Sequence, residues 1–326
     1  MSSRESHSVS PWASDPSVIL IDPPAWPAYG TTWSHLVSDT SLEELHAFAR
    51  SVGLPARAFD HDHYDVPSDR YDALVAAGAR PVAARELLAA LRESGLRVAA
   101  RDKARVGPAR RLQELTQRWS RLPAQLPWDV PAEAWSSAGT DLLDRWSEPH
   151  RHYHTTAHLL DVLHALELLA QEQHDGGPAA VMAAWFHDAV YAGRPGSDEA
   201  DSADLAIGTL SALGARRPLT ERVGELVLGT ATPGDPDGAD AAVLNDADLA
   251  VLAGTPQRYQ RYAAAIRAEY AHVGDEDFRS GRLAVLERLL GLPALYHTTS
   301  ARRRWEARAR ENLERERRQW LRGERG

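Results

Sequence analysis

The sequence predicts an α+β chain of two domains: a small α/β domain over residues 18–105, then an all-α helical bundle over 106–326, behind a disordered tail at 1–17. Three observations predict it. The first hundred residues alternate short β-branched runs with amphipathic helical stretches, the pattern of a small α/β unit. An Arg- and Ala-rich stretch from 99 to 108 closes at Gly107 and Pro108, a composition suited to a linker. Beyond it, apolar residues recur at helical spacing and no strand pattern interrupts them. With 326 residues, 43% of them hydrophobic, the chain is long enough to bury two cores.

Taken in order, the Ser- and Pro-rich start MSSRESHSVSPWASDPS has too little apolar content to fold. VILID at 18–22 reads as a buried strand stopped by Pro23 and Pro24. AWPAYGTTWSHLVSD follows as a loop whose Trp26, Trp33 and His35 either line a pocket or cover a sheet edge. Ser41, three residues before Glu44, opens the helix LEELHAFARSVG with a capping-box pattern, and Gly53 stops it. A second strand is expected through PARAFD to Asp60 and a third at ARPV, with the helices SDRYDALVAAG and AARELLAALRESG flanking the latter. Between them lies FDHDHYDVP, residues 59–67. Its Asp60, His61, Asp62, His63 and Asp65 are either polar turn residues or ligands; on an extended segment His61 and His63 would share one face, with Asp60 and Asp62 on the other.

In the bundle, helices are expected at ARRLQELTQRWSRL, from TDLLDRW through ELLAQEQ, and at AAVMAAWFHDAVY with Pro178 in its first turn. Others follow over 199–213, 219–230, 242–253, 256–273, 276–290 and 300–322. The arginine run 302–304 begins a mixed-charge, solvated helix whose cations near the C-terminal end suit the helix dipole.

Composition excludes several classes. A formal net charge of −9 argues against a protein that coats nucleic acid or a membrane surface. No apolar run spans a bilayer and the N-terminus lacks that of a signal peptide, so the cytoplasm is the expected location. The absence of cysteine removes disulfides, thiolate metal sites and a thiol nucleophile; any metal must be held by imidazole and carboxylate.

Three stretches place histidine and aspartate where packing alone would want leucine: RHYHTTAHLLDV (151–162), FHDAVY (186–191) and NDADLAVL (245–252). His154 and His158, four apart, share a face if the helix has begun by residue 154, beside the stripe Leu159, Val162, Leu163 and Leu166. His187 and Asp188 are about 100° apart around a helix, so both reach one ion only near its end, which Gly193 and Pro195 support. In DADL, one of Asp246 and Asp248 can turn inward. Singly, a core-edge histidine is more often hydrogen-bonded than metal-bound, and an aspartate is often a cap. Together they point to a divalent cation of mixed nitrogen and oxygen preference.

In IDPPAWPAYGTTWSHLVSD, ELHAFA and FDHDHYDVP, residues 18–98 resemble DUF4031, a small bacterial domain of unknown function, which implies no activity. The order H, then HD, then D on successive helices resembles the HD superfamily of metal-dependent phosphohydrolases, which implies an HD-type bundle. The resemblance makes His158 the first ligand, with Val162 four residues on, His187 and Asp188 the doublet, and Asp248 rather than Asp246 the last. Tyr153 and His154 are similar to the pair in cyclic-nucleotide phosphodiesterases of that superfamily, in which the histidine protonates the leaving oxygen. Over about 110–316 the chain is similar to the bacterial group called predicted metal-dependent HD phosphohydrolases, through SEPHRHYHTTAHL, SDEADSA, DADLAVL, IRAEYAHV, YHTT and ARENLERE. One departure stands out: no histidine lies between His187 and His272, where two-metal members carry more. This favours one ion per site, or a second held by carboxylates such as Glu199, and hydrolysis over oxygen chemistry.

The resulting expectation is a metal-dependent phosphoric ester hydrolase acting on a phosphate ester or anhydride of a nucleotide or related small molecule. An ion of Mn, Mg, Fe, Ni, Co or Zn on His158, His187, Asp188 and Asp248 would polarise a phosphoryl oxygen and acidify a bound water. His154 would protonate the leaving oxygen, and Glu199 would orient the water or a second ion. Arg151 either meets a phosphate or lies on the surface. Two other readings compete: a ligand-sensing or regulatory protein with a structural metal, and a nucleic-acid-processing protein whose aromatic loop stacks bases. In the preferred reading the partner is a small phosphorylated substrate, with neither membrane nor nucleic acid, and a homo-oligomer is compatible with the sequence.

Overall fold

The computed structural model describes residues 18–28, 31–55, 58–99, 103–126, 128–173, 177–194, 196–232, 234 and 236–322, so the tail expected at 1–17 lies outside the described residues. The chain divides into two compact units, Met1–Val106 and Gly107–Gly326. Among the described residues, no helix is long and apolar enough to cross a membrane.

The N-terminal unit is built on a five-stranded sheet: β1 (Ile19–Ile21), β2 (Trp26–Ala28), β3 (Thr31–Ser38), β4 (Tyr64–Pro67) and β5 (Arg80–Pro81). β1 and β2 pair antiparallel with successive halves of β3, β4 pairs with β3 along its other edge, and β5 runs parallel to β1. The stretch expected as an aromatic loop is therefore mostly strand. TTWSHLVS has the β-branched and aromatic residues that suit a pleated surface, a signal masked by the neighbouring prolines and glycine. The strand expected through PARAFD is also displaced: among its described residues only Phe59 makes a bridge, to Tyr64, and the ladder strand begins at Tyr64. His61 has a φ of 63°, a left-handed turn conformation that breaks the extended alternation expected across 60–63.

α1 (Leu42–Ser51) starts at Ser41, whose side chain accepts from Glu44 N. With α2 (Tyr71–Ala76) it covers one face of the sheet, packing Leu45, Ala49 and Leu74 against Ile19, Ile21, Leu36, Tyr64 and Val66. Residues two apart on a strand share a face, so Leu20 and Val37 point the other way, onto Leu87 and Leu91 of α3 (Ala84–Glu93). Trp33, His35 and Asp65 lie on that second face, beyond the part packed under α3.

Among its described residues the second unit is helical throughout: α4 (Lys103–Arg121), α5 (Ala132–Trp146), α6 (Thr156–Gln173), α7 (Pro178–Phe186), α8 (Ser197–Ala212), α9 (Arg217–Gly229), α10 (Ala239–Asp248), α11 (Pro256–Glu269), α12 (Asp275–Gly291) and α13 (Thr299–Leu321). α4 already begins at Lys103, so the last part of the expected linker is helical, with Pro108 inside it. α7 is apolar all round and buries Ala179, Ala180, Met182, Ala183, Ala184, Trp185 and Phe186, which makes it the central helix. Beside it Trp119 and Trp135 stack at 4.4 Å, and each indole N–H donates to the other residue's carbonyl. That stack explains Gly139, where a Cβ would lie 2.3 Å from Trp119 Cδ1.

Candidate metal centre

The apolar pattern of α7 stops at Phe186, and the chain leaves the helix at His187 and Asp188, where backbone adjustment lets both side chains face one point. α6 supplies His158 from its first turn, and α10 ends on Asp248. The four side chains converge. His158 Nε2 lies 3.1 Å from His187 Nε2, 3.0 Å from Asp248 Oδ1 and 3.6 Å from Asp188 Oδ2. His187 Nε2 lies 3.1 Å from Asp188 Oδ2 and 3.6 Å from Asp248 Oδ1. Both imidazoles are almost fully buried, the carboxylates partly so, and Trp146 underlies the cluster with its ring 5.4 Å from that of His187.

The donor set fits a divalent cation. Ligands about 2.0–2.2 Å from one ion stand about 2.8–3.6 Å from each other at octahedral to tetrahedral angles, and all five separations fall in that span. His187 Nδ1 donates to Ala184 O, which directs the Nε2 lone pair into the cluster. Burial alone would raise Asp188 and Asp248; the neighbouring imidazoles hold both well below the usual carboxylate range. Burial alone would lower His187, but the Asp188 and Asp248 carboxylates carry it well above its ordinary value. The centre thus favours positive charge, as a cation would supply. His158, His187 and Asp188 form a group able to hold a metal ion.

His154 lies two residues before α6, in a turn, so the shared helical face expected for His154 and His158 does not arise. The turn nonetheless brings the rings to 5.7 Å, with His154 Nε2 3.9 Å from Asp188 Oδ2. His154 Nδ1 meets Glu269 Oε2 at 2.7 Å, and Tyr191 stacks on the ring at 4.2 Å. Burial opposes a charge on His154; Asp188 and Glu269 outweigh it and raise its pKa. Burial likewise opposes Glu269, whose pKa is brought down to about 2 by His154 and the backbone N–H groups it accepts from.

The remaining expected residues divide. Asp246 is turned away: its oxygens accept from His297 N and Thr298 N, both at 2.7 Å, tying α10 to the lead-in of α13. Glu199 sits in the first turn of α8, where its carboxylate accepts from Gly196 N; among the described contacts it joins none of the four donors. Its neighbour Asp198 is buried and accepts from Ala192 N and Arg194 N, holding the chain just after the HD pair. Arg151 is a correction to both expectations, surface or phosphate. Its guanidinium is buried and donates to the carbonyls of His154, Asp188 and Ala189, bolting two of the motif backbones together.

Residues 19–94 form a DUF4031 domain, the family described as a protein of unknown function. No curated protein matches the chain.

Proposed function

We propose that the helical unit is an HD-type, metal-dependent phosphohydrolase that cleaves a phosphate ester or anhydride of a nucleotide or related small molecule. The observation that carries this reading is the convergence of His158, His187, Asp188 and Asp248 at 3.0–3.6 Å, with His154 held beside them. A divalent ion in such a set supplies Lewis-acid polarisation of a phosphoryl oxygen and a nucleophile at neutral pH. His158 and His187 would hold it as neutral nitrogen donors, and Asp188 and Asp248 would offset its charge. His154 is flanked by two acids, Glu269 at Nδ1 and Asp188 towards Nε2, so it is set to carry a proton and pass it from Nε2 to a leaving oxygen. Tyr191 stacks on the His154 ring and Tyr153 meets it edge-on, which restricts its orientation.

The test is elemental analysis of the purified full-length chain, followed by a chromatographic screen for hydrolysis of linear and cyclic nucleotides and simple phosphate esters with the metal found. Hydrolysis that depends on His158 supports the reading. A metal-loaded protein that hydrolyses none of them removes it.

A further inference from the structure

A second group of donors lies in the N-terminal unit, on the sheet face beyond the part packed under α3, and strand register puts it there. His35 on β3 stands directly opposite Asp65 on β4, and His63, two residues before Asp65, projects to the same side. One nitrogen of His35, one of His63 and one carboxylate oxygen of Asp65 lie within 4.8 Å of one another, with His63 Nε2 3.4 Å from Asp65 Oδ1. Each imidazole is held from behind by a buried acid. Asp22 Oδ2 meets His35 Nδ1 at 2.9 Å, and Asp62 Oδ1 meets His63 Nδ1 at 2.5 Å. Those acids are themselves fixed: Asp22 accepts from His35 N, and Asp62 accepts from Val98 N and Arg97.

We propose that His35, His63 and Asp65 bind a divalent transition-metal ion of the zinc or iron(II) type, with Asp22 and Asp62 as positioning residues. Bonding at Nδ1 leaves Nε2 of each ring to face the ion, and a carboxylate behind a ligand histidine fixes its orientation and raises its basicity. Two such pairs beside one further carboxylate exceed what a packed histidine pair needs for its own hydrogen bonds. The Asp65 side chain is 44% exposed, so it has room to close the wider spacing around an ion. Three protein donors leave coordination positions open to a water or a ligand. Trp26, half-exposed, sets its ring 5.5 Å from that of His35 and borders the group with an apolar wall.

The test is titration of the metal-stripped full-length protein with Co²⁺, read by visible absorption and equilibrium dialysis. Wild type is expected to bind one equivalent more than His35→Ala or His63→Ala. Asp22→Asn should retain that equivalent with affinity weakened about 10- to 100-fold. Asp65→Asn, a nearly isosteric change at a partly exposed position, should also weaken it and guards against loss through unfolding. His158→Ala should keep the equivalent, which separates this outcome from the reading of the helical unit. Wild-type stoichiometry and spectrum in both His63→Ala and Asp65→Asn would overturn the proposal.

Discussion

The two histidine groups of this chain are assembled by opposite means. In the helical unit the donors come from helix ends, the first turn of α6 and the last residues around α7 and α10, where the backbone is free to turn side chains inward. In the N-terminal unit two of the three come from a ladder, where register sets His35 against Asp65, and His63 stands just before the first residue of β4. The depth differs too. His158 and His187 are buried and closely spaced, whereas His35, His63 and Asp65 are half-buried and more loosely gathered, and their buried charge lies one layer back in Asp22 and Asp62. A cluster of imidazoles and carboxylates can thus be made rigid by burying its members or by burying what holds them.

The strongest way to break this comparison is to remove donors one at a time. His158→Ala is expected to abolish hydrolysis and the ion of the helical unit while sparing cobalt binding in the sheet. His154→Ala should keep the ion and lose about 10²- to 10⁴-fold in kcat. Metal analysis beside steady-state kinetics checks both, and equal metal loss in the two variants would sink the division of roles. Next in size, Glu269→Gln should lower kcat by about 10- to 100-fold with metal content unchanged, because it loosens the ring that Glu269 orients without touching a donor. An effect on KM alone would show that Glu269 positions substrate instead.

Smaller effects probe the scaffolds. Gly139→Ala should destabilise the helical unit by about 1–3 kcal/mol through the clash with Trp119, read in urea melts of far-UV ellipticity. The Co²⁺ spectrum of the N-terminal unit should survive that change. The smallest effect is acid sensitivity at Glu114. Burial would raise its pKa, but His164 and Arg118 bring it down to about 2 from the ordinary 4.5. A depressed carboxylate contributes stability above pH 4.5 that is lost as pH falls towards 2. With its side chain 37% exposed, solvent screening limits the contribution to about 1 kcal/mol or less. Glu114→Gln should therefore lower the neutral plateau of a stability–pH curve by about that amount and leave the acid end nearly unchanged, which flattens the acid limb slightly.

Much of the helical unit was legible because its chemistry breaks local patterns. His158 interrupts an apolar stripe, and Gly193 and Pro195 after His187 and Asp188 signal a nearby helix end, although α7 stops at Phe186 rather than running through the expected AAVMAAWFHDAVY. The choice between Asp246 and Asp248 could not be made from periodicity. It depends on Asp246 being claimed by backbone N–H groups of His297 and Thr298, 51 and 52 residues further on. Glu269 was invisible for a similar reason: it closes a helix with a largely solvated composition, and 115 residues separate it from His154. In the first unit, prolines and a glycine disguised the β2–β3 pairing. Register between β3 and β4 leaves no local mark, so His35 and Asp65 could be named as candidates without being brought together.

Glu269 also does something else. Its Oε1 receives three successive backbone N–H groups, from His152, Tyr153 and His154, at 2.8, 2.7 and 2.9 Å. Amides converging in this way make a concavity that would otherwise grip a free phosphate or sulfate. The Glu269 carboxylate fills that concavity, so these three amides are closed to a free anion. If the helical unit hydrolyses phosphate compounds as proposed, emptying it with Glu269→Ala should open a site for free phosphate, and the variant should show phosphate inhibition that the parent chain escapes.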